Sequence, residues 1–193
     1  VIGGVLLWGF GVNYLMVTLF GQQAARLGAG MNPVIFLLGY FALVIAGNAL
    51  IARPSPALSF LGYNLIAVPI GLVLCVTLQG YYVETIRGAV LMTAIITLSF
   101  MIAATLFPGF FLSLGRVLFF SLLITLASGL LGMLFFRSTG LGYAWIGAGI
   151  FSMYIGYDWA RANTCARTLD NAIDLSASLY LDIINLFLRV LSI

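Results

Sequence analysis

Apolar stretches of about twenty residues follow one another along this chain, divided by short connectors that hold most of the charge. Twenty residues at a rise of ~1.5 Å each match a hydrocarbon core of ~30 Å. The recurring length by itself therefore predicts membrane-spanning segments. Composition agrees: 63% of the 193 residues are apolar and 7% are charged, with a mean hydropathy of +1.19. A soluble domain carries about 25% charged residues, because its surface must face water. Inside lipid a backbone must satisfy its own hydrogen bonds, which a helix does within one segment. The expectation is an all-α, polytopic membrane protein of about seven transmembrane helices. It would be multi-pass in the cell membrane, with the lipid bilayer as its first partner. The net charge of +3 comes from eight basic residues, all Arg. They form no basic cluster, so nucleic acid is not expected as a partner.

The connectors set the boundaries. The first span runs from about Val1 to Phe20, and GQQAARLGAGMN reads as a polar connector ending at Pro33. The second stops at Arg53-Pro54-Ser55-Pro56, since prolines two apart end a helix. The third covers about Ala57 to Leu78 with Pro69 inside it, where a kink is expected. QGYYVETIR makes a turn, and the fourth span reaches Phe107 before Pro108-Gly109. The fifth runs from Arg116 to Phe136, and the sixth from about Tyr143 to Asp158 or slightly past it. WARANTCARTLDNAID reads as a polar lead into a last helix over about Leu175–Ile193. No linker or repeat interrupts this order, so residues 1–193 are read as one helical domain. Its opening at Val1, already inside an apolar run, suggests a native amino-terminal tail that the sequence lacks.

Glycines cluster in the first span (Gly3, Gly4, Gly9, Gly11), the fifth (Gly129, Gly132) and the sixth (Gly147, Gly149). They read as points of close helix approach. Arginines divide four against four between the two membrane sides, which gives no positive-inside signal. Cys75 and Cys165 form no motif. With no His there is no conventional zinc site, and no nucleophile–base pair appears. Neither an enzyme nor a bound cofactor is expected.

The last helix is different. Asp174, Ser178, Asp182, Asn185 and Arg189 are spaced by four, four, three and four residues, which places all five on one helical face. Asp174, ahead of the apolar run, reads as an amino-terminal cap, and Asp170 as a solvated connector residue. Asp182 lies two turns deeper. An ionised Asp near the middle of a bilayer costs roughly 2.5–3.5 kcal/mol, so Asp182 should face the protein interior or a water-filled path. One reading makes it a buried carboxyl held by hydrogen bonds. The other makes it part of a charged constellation. The sixth span ends with Tyr154, Asp158 and Arg161 at helical spacing, on the connector that leads to the last helix. Arg53 closes the second span on the same side. Three ionisable groups from three helices can therefore converge, and two neighbouring carboxyls titrate as a coupled pair.

GYDWARA followed by SLYLDIINLFLRVLSI resembles the carboxyl-terminal signature of the transmembrane Bax inhibitor motif family. ETIRGAVLMTAIITLSFM is similar to that family's fourth helix, and GNALIARPSPA to the exit of its second. The resemblance implies seven helices with the last one central. It also implies a pH-sensing aspartate pair on helices six and seven, which an arginine of the second helix can lock. By position these are Asp158, Asp182 and Arg53, with Ser178, Asn185 and Tyr154 as the supporting polar face. Trp159-Ala160 departs from the polar pair that often follows the family's YD. The resemblance further implies a cytoplasmic amino terminus, which would put Arg53 on the cytoplasmic side and keep Cys165 reduced.

The function implied is a pH-sensitive calcium leak channel of the bacterial inner membrane, gated by the di-aspartyl pair and answering to protons and calcium. Calcium wants several oxygen ligands. With so few carboxylates, the expectation is transit past Asp158 and Asp182 and no firm metal site. The alternative is a non-conducting interaction protein that binds or modulates a membrane protease, in which the aspartate pair is structural. A secondary transporter is disfavoured by the lack of inverted repeats.

Overall fold

The computed structural model describes residues 1–30, 32–136 and 140–193. Among them the chain forms eight helices and no strand: α1 (Ile2–Gly30), α2 (Pro33–Ile51), α3 (Pro56–Leu78), α4 (Val83–Leu106), α5 (Pro108–Ser113), α6 (Gly115–Phe136), α7 (Leu141–Thr164) and α8 (Leu169–Leu191). The fold is all-α, and it is that of a polytopic membrane protein. Seven of the helices are long and match the seven expected segments in order. Ile2–Ala24 of α1, the whole of α3 and the whole of α4 are long and apolar enough to cross a bilayer. Shorter apolar runs occupy Leu38–Ile51 of α2 and Gly115–Gly129 of α6.

Several boundaries lie beyond the apolar runs. GQQAARLGAG is helical to Gly30, because Ala, Gln, Arg and Leu all favour helix whatever their hydropathy. At the other end, α7 continues past Asp158 to Thr164 and α8 opens at Leu169. Thr168 supplies the cap of α8, its Oγ1 accepting the Asn171 N–H at 3.1 Å. Asp174 is therefore not a cap; it stands in the second turn. Asp170 is not a connector residue either, since it lies in the first turn. Pro108 ends α4 but also opens the short α5, with proline at a helix start as its fixed φ allows. Pro69 is accommodated within α3, which runs on to Leu78.

Contacts divide the chain into two compact units, residues 1–82 with 166–177, and residues 83–165 with 178–193. Helix α8 thus contributes its first part to one unit and its remainder to the other.

In the first unit α3 packs against α1 and α2. Tyr63, fully buried, donates its hydroxyl to Val5 O at 3.0 Å, and Trp8 Nε1 donates to Asn64 Oδ1 at 3.0 Å. Helices α2 and α3 touch backbone to backbone. A Cβ at Gly47 would lie 2.8 Å from Gly62 O, and one at Gly62 would lie 2.5 Å from Gly47 O. Gly71 makes similar room for Asn13 and Met16 of α1. The start of α8 is tied in by polar contacts. Ser59 Oγ donates to Asp170 Oδ1 at 2.7 Å, and Ser176 Oγ, which donates to Ala172 O, lies 3.2 Å from Ile2 O.

The second unit is organised on α7. Ala104, Phe111 and Ala160 form a buried core, flanked by Phe100, Ala103, Leu114, Met153 and Trp159. The ring of Phe111 on α5 fills the space where Gly156 lacks a side chain, so the short helix between α4 and α6 has a packing role. Trp159 Nε1 donates to Thr105 Oγ1 at 2.9 Å. The expected glycine contacts divide. Gly129 and Gly147 do receive close neighbours, whereas at Gly3, Gly4, Gly11 and Gly149 a Cβ would meet nothing within 4 Å. Further tight approaches are at Gly47, Gly62, Gly71, Gly115 and Gly156, each facing backbone or a side chain from another helix.

Three stability outcomes follow from these contacts. Gly62→Val should lower the unfolding free energy in detergent by about 1–3 kcal/mol, by forcing α2 off α3. Gly4→Val should stay within about 0.5 kcal/mol. Phe111→Ala, which empties the notch at Gly156, should cost about 3–5 kcal/mol. Thermal unfolding followed by circular dichroism distinguishes these three variants.

Candidate functional site

Helix α8 meets the cost of its polar stripe by avoiding exposure. From Asp170 to Leu191 every residue is buried or half-buried. By contrast, α4 is exposed at Val90, Leu91, Ile95, Leu98 and Ile102, as a lipid-facing helix should be.

Asp158 of α7 is 5% exposed and Asp182 of α8 is 8% exposed. Both belong to the second unit, and their carboxyl groups are close enough to act on each other electrostatically. Asp182 Oδ2 is buried and accepts no hydrogen bond from a described residue. Three residues beyond Asp158, Arg161 places Nη1 at 3.3 Å from Asp158 Oδ1. Its side chain is 44% exposed, and its guanidinium carbon lies 5.8 Å from the Tyr157 ring centroid. The carboxyl pair therefore has a cation at its edge that is itself partly exposed at the surface of the helix bundle. Tyr154, one turn before Asp158 and half-buried, stands within electrostatic range of both carboxyls.

The other residues of the expected site fall as follows. Asn185 turns its amide back along its own helix, Nδ2 donating to Leu181 O at 2.8 Å. Ser178 is half-buried. Arg53 lies in the first unit just past the end of α2, exposed, with its carbonyl accepting the Ser55 N–H at 2.7 Å. Among the described residues the one ion pair is Arg161–Asp158. Arg161 is the functional candidate that sequence reasoning does not single out as a partner. Its i, i+3 spacing from Asp158 is the available signal.

The arrangement offers two carboxyl oxygen donors and one nearby cation. Among the described residues no group of three or more His, Cys, Asp and Glu is placed to hold a metal ion. A buried carboxylate oxygen without a donor is costly. A proton held between Asp158 and Asp182 removes that cost, and a coupled pair of this kind gains or loses its proton as a unit. What the geometry can do chemically is exchange one proton and, with it, one unit of charge between two packed helices.

No curated protein matches the chain. The family model described as "Inhibitor of apoptosis-promoting Bax1" matches residues 1–193. The match takes in the whole all-α membrane fold together with the aspartates of α7 and α8, and the chain belongs to the Bax inhibitor family.

Proposed function

We propose that this protein is a pH-sensitive cation leak pathway of the cell membrane, with calcium as the permeant ion and the Asp158–Asp182 pair as its gate. The observation that carries the reading is a buried pair of carboxyls on two different helices, edged by the half-exposed Arg161. Taking up a proton removes one negative charge from the contact between α7 and α8. Inside a poorly screened site such a change is worth a few kcal/mol, enough to move a two-state equilibrium tenfold or more. Two carboxylates are too few to hold calcium firmly, which supports transit over storage. The bacterial inner membrane is the setting we assign to it, and the role is one of permeation without catalysis.

Calcium uptake into indicator-loaded liposomes, measured from acid to neutral pH, tests the proposal. Wild-type flux should vary about tenfold or more across that range. Asp158→Asn and Asp182→Asn keep the shape but cannot titrate, so each should reduce the ratio of acid to neutral flux to about one while the protein stays folded. Glu84→Gln, at an exposed residue in the first turn of α4, should keep the wild-type profile. Wild-type profiles in both aspartate variants would make the pair structural, and pull-down of a membrane protease would become the next measurement.

A further inference from the structure

The seam between α7 and α8 has a second charged end. On α7, Gly147, Phe151, Tyr154 and Asp158 follow one another at spacings of four, three and four residues. On α8, Ser178, Asp182, Asn185 and Arg189 do the same, so each set lies on one helical face. The two faces run in opposite directions: Asp158 stands by Asp182, and Gly147 by Arg189. Between these ends lie Asn185 and the rings of Phe151 and Tyr154, whose centroids are 6.5 Å apart. All of these residues belong to the second unit. At ~1.5 Å per residue, Arg189 lies about 10 Å along α8 from Asp182.

Arg189 is half-buried and fixed at its end of the seam. Its guanidinium carbon is 4.3 Å from the centroid of the Tyr143 ring, and Nη2 donates to the Tyr143 hydroxyl at 3.1 Å. Two glycines make this seat. The Tyr143 hydroxyl presses against Gly129 of α6, and Arg189 Nε and Cδ occupy positions 2.8 and 2.9 Å from where a Cβ on Gly147 would stand. A long, flexible side chain is thus held by a ring, a hydroxyl and a gap in the neighbouring helix. No ion pair offsets its charge among the described residues. One face of α8 therefore presents a carboxyl and, two turns further on, a fixed positive charge.

We propose that Arg189 is the charge barrier of the leak pathway, a selectivity-determining residue that a cation leaving the carboxyl pair along the α7–α8 seam must pass. The inference rests on the leak reading given above. The two ends of the seam act oppositely on a cation, the carboxyls drawing it in and the guanidinium holding it back. Coulomb energy scales with the product of the charges, so the barrier is twice as high for calcium as for a monovalent ion. Salt screens such a half-buried charge less than a fully exposed one. The seat gives the barrier its force. A guanidinium free to swing aside would yield to a passing ion, whereas one stacked on Tyr143 and lodged at Gly147 keeps its charge in the path.

The test measures calcium and potassium flux through the whole chain in liposomes, at the pH of greatest wild-type flux. Arg189→Gln should raise potassium flux about tenfold and calcium flux about a hundredfold, the second factor being the square of the first because the barrier doubles with charge. Arg189→Lys keeps the charge and should keep the wild-type ratio of calcium to potassium flux. Asn185→Asp sets a carboxylate one turn from Arg189 and offsets its charge while leaving the seat intact. It should raise that ratio about tenfold, as Arg189→Gln does, and it keeps the test decisive if Arg189→Gln does not fold. An equal rise of both ions in Arg189→Gln would make the residue a structural tie between α7 and α8 and overturn the proposal. A raised ratio in Arg189→Lys, or an unchanged one in both neutralising variants, would overturn it too, while pH-dependent wild-type flux left the leak reading standing. If neither ion crosses in the wild type or any variant, the leak reading fails and the barrier with it.

Discussion

Placing a carboxyl group such as that of Asp182 among apolar helices costs roughly 2.5–3.5 kcal/mol on insertion scales, and much of this structure answers that cost. The residue cannot be turned toward lipid, so the helix that bears it is buried or half-buried from Asp170 to Leu191. It cannot be left without polar company, so a second carboxyl, Asp158, stands beside it. That pair in turn has Arg161 at 3.3 Å, on the same helix as Asp158. The polar contacts at the start of α8, from Ser59 to Asp170 and around Ser176, serve the same need earlier on the same helix. Each solves a solvation problem that an apolar helix would never have posed.

Packing between the helices depends on a different economy. Lipid tails are as apolar as Leu, so burying hydrophobic side chains gives little reason for helices to associate in a bilayer, and close contact has to come from shape. Glycine supplies it at a few points only. Gly47 and Gly62 bring α2 and α3 together at the backbone, while Gly156 receives the ring of Phe111. Gly3, Gly4 and Gly11 have open space around them, so glycine content alone does not identify a contact.

How much of this is legible in the sequence depends on which physical signal each feature uses. The seven long helices are visible as successive apolar runs, of which Ile2–Ala24, α3 and α4 are long and apolar enough to cross a bilayer. Helix ends are less visible: hydropathy marks where the solvent changes, not where hydrogen bonding stops. The Ala- and Gln-containing segment after Phe20, the stretch beyond Asp158 and the run from Leu169 all remain helical in polar surroundings. A cap at Asp174 fails on that account, because Thr168 caps the helix earlier. The stripe on α8 and the YD pair of α7 can be read from spacing and resemblance. The neighbour of Asp158 is harder. Arg161 sits three residues away in plain view, but spacing does not say which of several arginines a carboxylate will meet. The seat of Arg189 is not legible at all, since it requires knowing that Gly129 and Gly147 face Tyr143 and Arg189 across helices.

The length of α1 carries one more consequence. Twenty-nine residues at a rise of ~1.5 Å give a rod of about 43 Å, against a hydrocarbon core of ~30 Å. The excess lies at the end bearing Gln22, Gln23 and Arg26, all exposed. Upright, α1 carries its last two turns into the headgroup layer; tilted, it trades height for angle. Bilayer thickness acts on that choice with a force of fractions of a kcal/mol per Å of mismatch. Through Tyr63 and Trp8 the same helix is hydrogen-bonded to α3, so a thinner or thicker membrane bears on the packing of the whole first unit.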